Sequence, residues 1–166
     1  MNIVEKAKIF GVNSHASVNH LYDGKPYDVH LELVYNVGLK FIHLVPEKYR
    51  DDVLAACWVH DTIEDCRLTY NDVKKELGEV VAELAYALTN EKGKTRKDRA
   101  NHKYYDGIRN TPFATFVKVC DRIANMEYSK SSGSRMYQMY KDELGGFTPL
   151  LYTKELDEMF QYLKSI

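Results

Sequence analysis

The chain has 166 residues, 45% of them apolar and 28% charged, with a formal charge of −1 at pH 7. This is the composition of one ordinary globular domain with enough apolar material for a single core, which excludes a disordered chain. A charge near zero also excludes global attraction to duplex DNA or RNA or to anionic membranes, so an anionic ligand must be held by a local basic cluster.

The N-terminal segment repeats apolar and polar positions with a helical period over residues 2–17. A turn is expected at Tyr22-Asp23-Gly24-Lys25, with Pro26 suited to the first turn of a helix over about 26–38 that carries His30 and stops near Gly38. Pro46 opens another helix, running through the apolar stretch Val53–Val59 to His60-Asp61. Thr69 followed by Asp72 predicts a capping-box helix start, Gly78 a stop, and Val80 to Leu88 a further helix. Glu91 to Arg99 reads as a charged loop running into a helix. After Asn110-Thr111-Pro112 a helix carries Phe116, Val117, Val119, Cys120, Ile123, Ala124 and Met126. Ser131-Ser132-Gly133-Ser134 reads as a flexible link, and two helices follow around Tyr137–Tyr140 and Leu156–Leu163.

The expectation is an all-α single domain over residues 1–166, without internal repeats. No segment approaches the roughly 20 apolar residues of a membrane span, and Met1-Asn2-Ile3-Val4-Glu5-Lys6 lacks the order of a signal peptide. The odd set Cys57, Cys66 and Cys120 forms no CxxC pair, so a disulfide framework is not expected. The cytoplasm is the simplest compartment.

Chemistry concentrates at His60-Asp61-Thr62-Ile63-Glu64-Asp65, directly after the apolar run. Imidazoles and carboxylates beside a buried element need a partner, and a cation suits both. Adjacent helical residues diverge by about 100°, so His60 and Asp61 reach one ion most easily at a helix end. Glu64 and Asp65 lie one turn beyond them. Further along, Asp121 and Asn125 share a helical face among apolar neighbours, where Asp121 would pair either with a metal or with Lys118 or Arg122. His30 lies about one turn into its helix, where a lone histidine is more often a hydrogen-bonded core residue than a ligand. Taken together, His30, His60, Asp61 and Asp121 offer nitrogen and oxygen donors without thiolate, a set suited to Mn²⁺, Fe²⁺ or Zn²⁺ with positions left for water and substrate. Glu64 and Asp65 are then candidates to orient or deprotonate the attacking water.

In order and spacing, His30, His60-Asp61 and Asp121 resemble the HD-domain metal phosphohydrolases. The match is closer to the hydrolase domain of RelA/SpoT-type enzymes and their small stand-alone alarmone-hydrolase relatives. It rests on Gly24-Lys25-Pro26-Tyr27, His60-Asp61-Thr62-Ile63-Glu64-Asp65, Lys92-Gly93-Lys94-Thr95-Arg96, Lys118 through Met126, and Tyr140-Lys141-Asp142-Glu143. The resemblance implies a helical HD fold in which His30, His60, Asp61 and Asp121 bind one Mn²⁺-like ion and Glu64 and Asp65 handle water. It implies that Asn125 contacts a nucleotide sugar and Tyr140 sits in the nucleotide pocket. Lys94, Arg96 and Arg99 would meet phosphates, with Lys118 and Arg122 as weaker candidates. The implied reaction removes pyrophosphate from the 3′ position of (p)ppGpp.

One departure bears on specificity. The alarmone hydrolases commonly place a base-stacking Arg before the Gly-x-Pro-Tyr block, and the matching position here is His20. Imidazole can stack, but it lacks the five-donor fork and permanent charge of guanidinium. A phosphohydrolase for another nucleotide is therefore one alternative, and a nucleotide-sensing module without turnover is another. His15 and His20 are expected to serve a surface or pocket role, and Cys66 and Cys120 to be small buried hydrophobes. Oligomeric state, a homo-oligomer included, is left open.

Overall fold

In the computed structural model, which describes all 166 residues, almost every element is helical. Helix α1 spans Ile3–Ser17 and opens on an Asn2–Glu5 capping box. A two-residue hairpin follows, β1 (Leu21–Tyr22) against β2 (Lys25–Pro26), with Leu21 opposite Pro26 and Tyr22 opposite Lys25. Its turn residues Asp23 and Gly24 both have positive φ, the geometry a two-residue hairpin turn requires. Pro26 thus lies in the hairpin rather than in the helix, and α2 begins at Asp28 and runs to Phe41.

The expected helix from Pro46 is a 3₁₀ turn, Glu47–Tyr49, followed by α3, Arg50–Val59. Every residue from Val53 to Val59 is buried. A helix apolar all round must be central, and α3 packs against α1, α2, α6 (Glu79–Ala87) and α9 (Ala114–Ser132). Buried side chains gather on both sides of it. The larger group runs from Val34 and Phe41 through Phe116 and Ile123 to Phe160, and the smaller holds Ala7, Leu31, Trp58, Val73 and Val81.

Gly11 sets how closely α1 can lie on α3. A Cβ at this position would collide with the carbonyl oxygen of Trp58, two residues before His60. The end of α3 is therefore fixed from outside by backbone contact.

After α3 come the short α4 (Thr62–Asp65) and then α5 (Tyr70–Leu77), which starts on the Thr69–Asp72 capping box and ends at Gly78 with φ 87°. The basic segment contains only the four-residue α7 (Arg96–Arg99). Helix α8 (His102–Asn110), capped by Asn101, is the helix into which the charged segment was expected to run, and it buries Tyr104 and Ile108. Ser131 and Ser132 are not a link but the last turn of α9, which closes on Gly133 in the left-handed conformation. Helices α10 (Met136–Leu151) and α11 (Asp157–Ser165) complete the chain. No helix is long and apolar enough to cross a membrane.

Candidate metal centre and its cleft

Three elements deliver the central residues. His30 comes from the first turn of α2, His60 and Asp61 from the break between α3 and α4, and Asp121 from the middle of α9. Helix α3 ends at Val59; His60 caps it with helical dihedrals, Asp61 departs from them, and the two side chains converge. His30 Nε2 lies 3.1 Å from Asp121 Oδ1 and 3.7 Å from Asp61 Oδ2. His60 Nε2 lies 3.1 Å from Asp61 Oδ2 and 3.5 Å from Asp121 Oδ1. Both histidines are buried, at 1% and 2% exposure.

The donor set fits a metal ion. His60 Nδ1–H donates to the Cys57 carbonyl at 2.9 Å, which leaves Nε2 as the free lone pair, and that buried atom has no hydrogen-bond partner. Ligand atoms of His30, His60 and Asp121 lie within 4.8 Å of one another. The electrostatics agree. Burial alone would lower the basicity of His60, yet Asp61 and Asp121 raise it well above the ordinary imidazole range, so the two carboxylates call for a positive charge at Nε2, which a proton takes when no cation is bound. Burial likewise opposes the charge on Asp121, but Lys118 and the two imidazoles keep that carboxyl ionised well below its usual range. Asp61 is held below its ordinary value against burial, chiefly by His60. Two carboxylates here draw positive charge from every neighbour, and a cation placed among these atoms would satisfy all of them. These residues can hold a metal ion.

Glu64 and Asp65 stand beside this group. A helical continuation from His60 would have placed them one turn on, but the chain breaks and restarts as α4. Oxygen atoms of Asp61, Glu64 and Asp65 nonetheless lie within 4.8 Å of one another. The Asn90 backbone N–H donates to Glu64 Oε1 at 2.7 Å. Burial, then Asp61 and Glu64, push the Asp65 carboxyl up to about 8, and the packing around Glu64, then Asp61, raise that group as well. Both shifts have one cause, the crowding of three carboxyls in a partly buried setting.

The metal-type residues floor a cleft of about 230 Å³ whose wall includes Tyr22, Tyr27, Lys118, Arg122, Asn125 and Tyr140. Asn125 donates to Asp121 at 3.1 Å and accepts from the Tyr22 hydroxyl at 2.8 Å. Lys118 donates to the other oxygen of Asp121 at 3.2 Å. Both pairings considered for Asp121 therefore meet in one residue: one oxygen faces the histidines and the other faces Lys118.

The remaining basic candidates separate. Arg96 lines the cleft together with Glu64 and Asn90. Arg99 lines two neighbouring clefts instead, and Lys94 is exposed and outside the cleft wall. His20 is also outside that wall. Its ring stacks on Tyr27, with centroids 3.9 Å apart, and its Nδ1 lies 2.9 Å from His15 Nδ1. His15 is buried at 1% exposure, and burial lowers its imidazole to about 4. Cys66 and Cys120 are both buried.

Sequence reasoning missed Tyr22 and Tyr27. The Tyr27 hydroxyl donates to Asp61 Oδ2 at 2.5 Å, orienting a metal-type carboxylate from the second layer. A signal was present, since Tyr27 belongs to the Gly24-Lys25-Pro26-Tyr27 block. Its three-residue distance from His30 placed it near the site, but the contact with Asp61 spans 34 positions.

No family model matches the chain. Over 107 residues, 63% of its length, it is 31% identical to a protein of Aquifex aeolicus (strain VF5) named guanosine-3′,5′-bis(diphosphate) 3′-pyrophosphohydrolase, of which the match covers 14%. Over 74 residues, 45% of the chain, it is 30% identical to the Mus musculus protein named guanosine-3′,5′-bis(diphosphate) 3′-pyrophosphohydrolase MESH1, of which 41% is covered. The chain thus spans less than half the length of these curated relatives. A solved structure of a metazoan ortholog of SpoT that hydrolyzes ppGpp superposes with a TM-score of 0.71, at 18% identity, covering 98% of this chain and 96% of that one. The chain is thus similar in sequence to part of each of these proteins and shares its helical fold with the solved structure along almost its whole length.

Proposed function

We propose that the protein is a metal-dependent nucleotide phosphohydrolase whose leading activity is (p)ppGpp 3′-pyrophosphohydrolysis. The observation that carries this reading is the convergence of His30 and His60 on Asp61 and Asp121, with a free, buried Nε2 on His60. His30, His60, Asp61 and Asp121 would hold one divalent ion; the mixed nitrogen and oxygen set suits Mn²⁺, Fe²⁺ or Zn²⁺, and Mn²⁺ is proposed because the resemblance to the alarmone hydrolases implies it. Such an ion supplies positive charge that polarises a phosphoryl oxygen and makes water easier to deprotonate.

The chain's own residues then divide the work. Glu64 and Asp65 orient water and take its proton. Water oxygen attacks the phosphorus attached to the 3′ oxygen, the bond to that oxygen breaks, the 3′ oxygen gains a proton, and pyrophosphate is released. Asn125, held between Tyr22 and Asp121, is placed to meet the sugar. Tyr140 forms the pocket wall and Arg96 meets phosphate, with Arg99 and Lys94 as basic groups further out on the same segment. His20 would offer a stacking face to the base. A small-molecule nucleotide, not a nucleic-acid duplex or a membrane, is the proposed partner.

The test is a panel of nucleotides incubated with Mn²⁺-loaded protein, in which pyrophosphate and orthophosphate release are measured separately. Pyrophosphate from guanosine 3′,5′-bis(diphosphate) is the expected product. Faster turnover of a different nucleotide would select the alternative substrate, for which the engagement of His20 with Tyr27 and His15 is the motive. Tight binding without turnover would replace the enzyme with a sensor.

A further inference from the structure

Beyond the metal-type residues, the cleft ends on an arrangement that no role assigned so far requires. Glu143, on α10, bridges two arginines from two other helices. Its carboxylate accepts from Arg96 Nε at 2.8 Å and Arg96 Nη2 at 3.1 Å, and from Arg122 Nη1 at 2.7 Å. The two guanidinium carbons lie 5.6 Å and 5.0 Å from the centroid of the Tyr140 ring. Arg122 also lies 4.5 Å from the centroid of Phe147 and is only 5% exposed. Arg96 is different, with about half of its side chain open to solvent on a four-residue helix. The paired interaction with Glu143 is what ties it to the body of the protein.

This cluster sits on a boundary. Arg96, Arg122, Lys118, Asn90 and Tyr104 line the metal-type cleft and also a second, larger cleft of about 550 Å³. The second cleft adds Lys97 and Arg99. Three of the ten N–H donors on the two guanidiniums are used on Glu143, which leaves donors for a further anion. Two arginines against one glutamate leave net positive charge at the junction.

We propose that Glu143 is a positioning residue that holds Arg96 and Arg122 as a preset pair for the outer phosphate of a diphosphoryl group, and so favours diphosphoryl over monophosphoryl ligands. The inference rests on the phosphohydrolase reading and deepens it by naming what selects the leaving anion. Arg96 and Arg122 line the cleft that holds His30, His60, Asp61 and Asp121 and also the adjoining one, so a second phosphate extending from a phosphoryl group at those residues toward the larger cleft would meet them. Planar forks held in place bind phosphate better than free ones because less conformational freedom is lost on binding.

The experiment compares orthophosphate with pyrophosphate, the latter added as its Mn²⁺ complex, in calorimetric titrations of Mn²⁺-loaded protein. In Glu143→Gln, pyrophosphate affinity is expected to fall about tenfold, the scale of one charge-assisted hydrogen bond, with orthophosphate affinity changing less than about twofold. The sign is diagnostic. The substitution removes a negative charge, so if Glu143 merely diluted the positive field, pyrophosphate would bind more tightly, and that result overturns the proposal. Equal losses for both anions also overturn it, since a purely structural role would not change their ratio. Arg96→Lys, at an exposed position where folding is not at stake, keeps the charge but not the paired contact and should lower the same ratio. An unchanged ratio there counts against the proposal even if Glu143→Gln fails to fold. Failure of the nucleotide panel with a Glu143-dependent pyrophosphate preference would sink the enzyme reading alone.

Discussion

At the scale of single residues, the proposed function separates groups that would hold a cation from groups that would handle water. Asp121 faces both histidines and Lys118, so Asp121→Ala should abolish Mn²⁺ binding in a titration and nucleotide hydrolysis with it. Glu64 touches only Asn90 among its hydrogen-bond partners. Glu64→Gln should therefore bind Mn²⁺ normally and slow turnover by about 10²-fold, the usual contribution of a positioned base; equal rates would remove Glu64 from the water-handling role. Tyr27 acts through Asp61. Tyr27→Phe deletes one hydroxyl without altering the ring stack with His20 and should weaken Mn²⁺ binding by about tenfold, as the loss of a partner behind a metal ligand generally does.

At the scale of elements, the placement of His60-Asp61 depends on where α3 stops and on what presses against it. Gly11 lets α1 lie on the Trp58 carbonyl. Gly11→Ala must push the two helices apart, at a cost of about 1–3 kcal/mol measurable by urea unfolding. The same shift moves the end of α3, so hydrolysis should fall in the folded variant, and full activity would show that the site tolerates displacement of its supporting helix. Element starts and stops were legible where a side chain caps the backbone, as at Thr69–Asp72 and Gly78. They were misread at Pro26 and at Ser131–Ser132. Proline suits a hairpin strand as well as a helix start, and serines join a helix end when a left-handed glycine closes it.

At the scale of the whole molecule, charges from distant segments set the response to metal and to acid. The ion would join α2, the α3–α4 break and α9, so Mn²⁺ should raise the melting temperature and chelation should lower it. At a hundredfold excess over Kd the linkage is worth about 2.7 kcal/mol. Glu143 joins α7, α9 and α10. Burial opposes its charge, but the hydrogen bonds from Arg96 and the field of Arg122 hold its carboxyl below a glutamate's ordinary 4.5. A depressed folded value means the stabilisation is fully present above the unfolded value and is lost as pH falls through the folded one. The stability difference between the native protein and Glu143→Gln should accordingly be constant near neutrality and shrink below about pH 4.5. A difference that grew with acid would contradict the ion-pair assignment.

The all-helical class and the burial of Val53–Val59 were legible in the sequence, and His30, His60, Asp61 and Asp121 stood out there as candidates. Periodicity, caps and chemically unusual clusters are local properties, and side-chain type restricts which cation a cluster can serve. How these residues meet was not legible there. Tyr27 reaches Asp61, Tyr22 reaches Asn125, and Glu143 draws Arg96 and Arg122 together through contacts spanning 34, 103, 47 and 21 positions. Lys94, Arg99, His20 and Asp65 also fall outside the wall of the cleft that holds His30, His60, Asp61 and Asp121. Those outcomes depend on how helices cross, which is set by packing over the whole core and leaves no mark at the residues concerned.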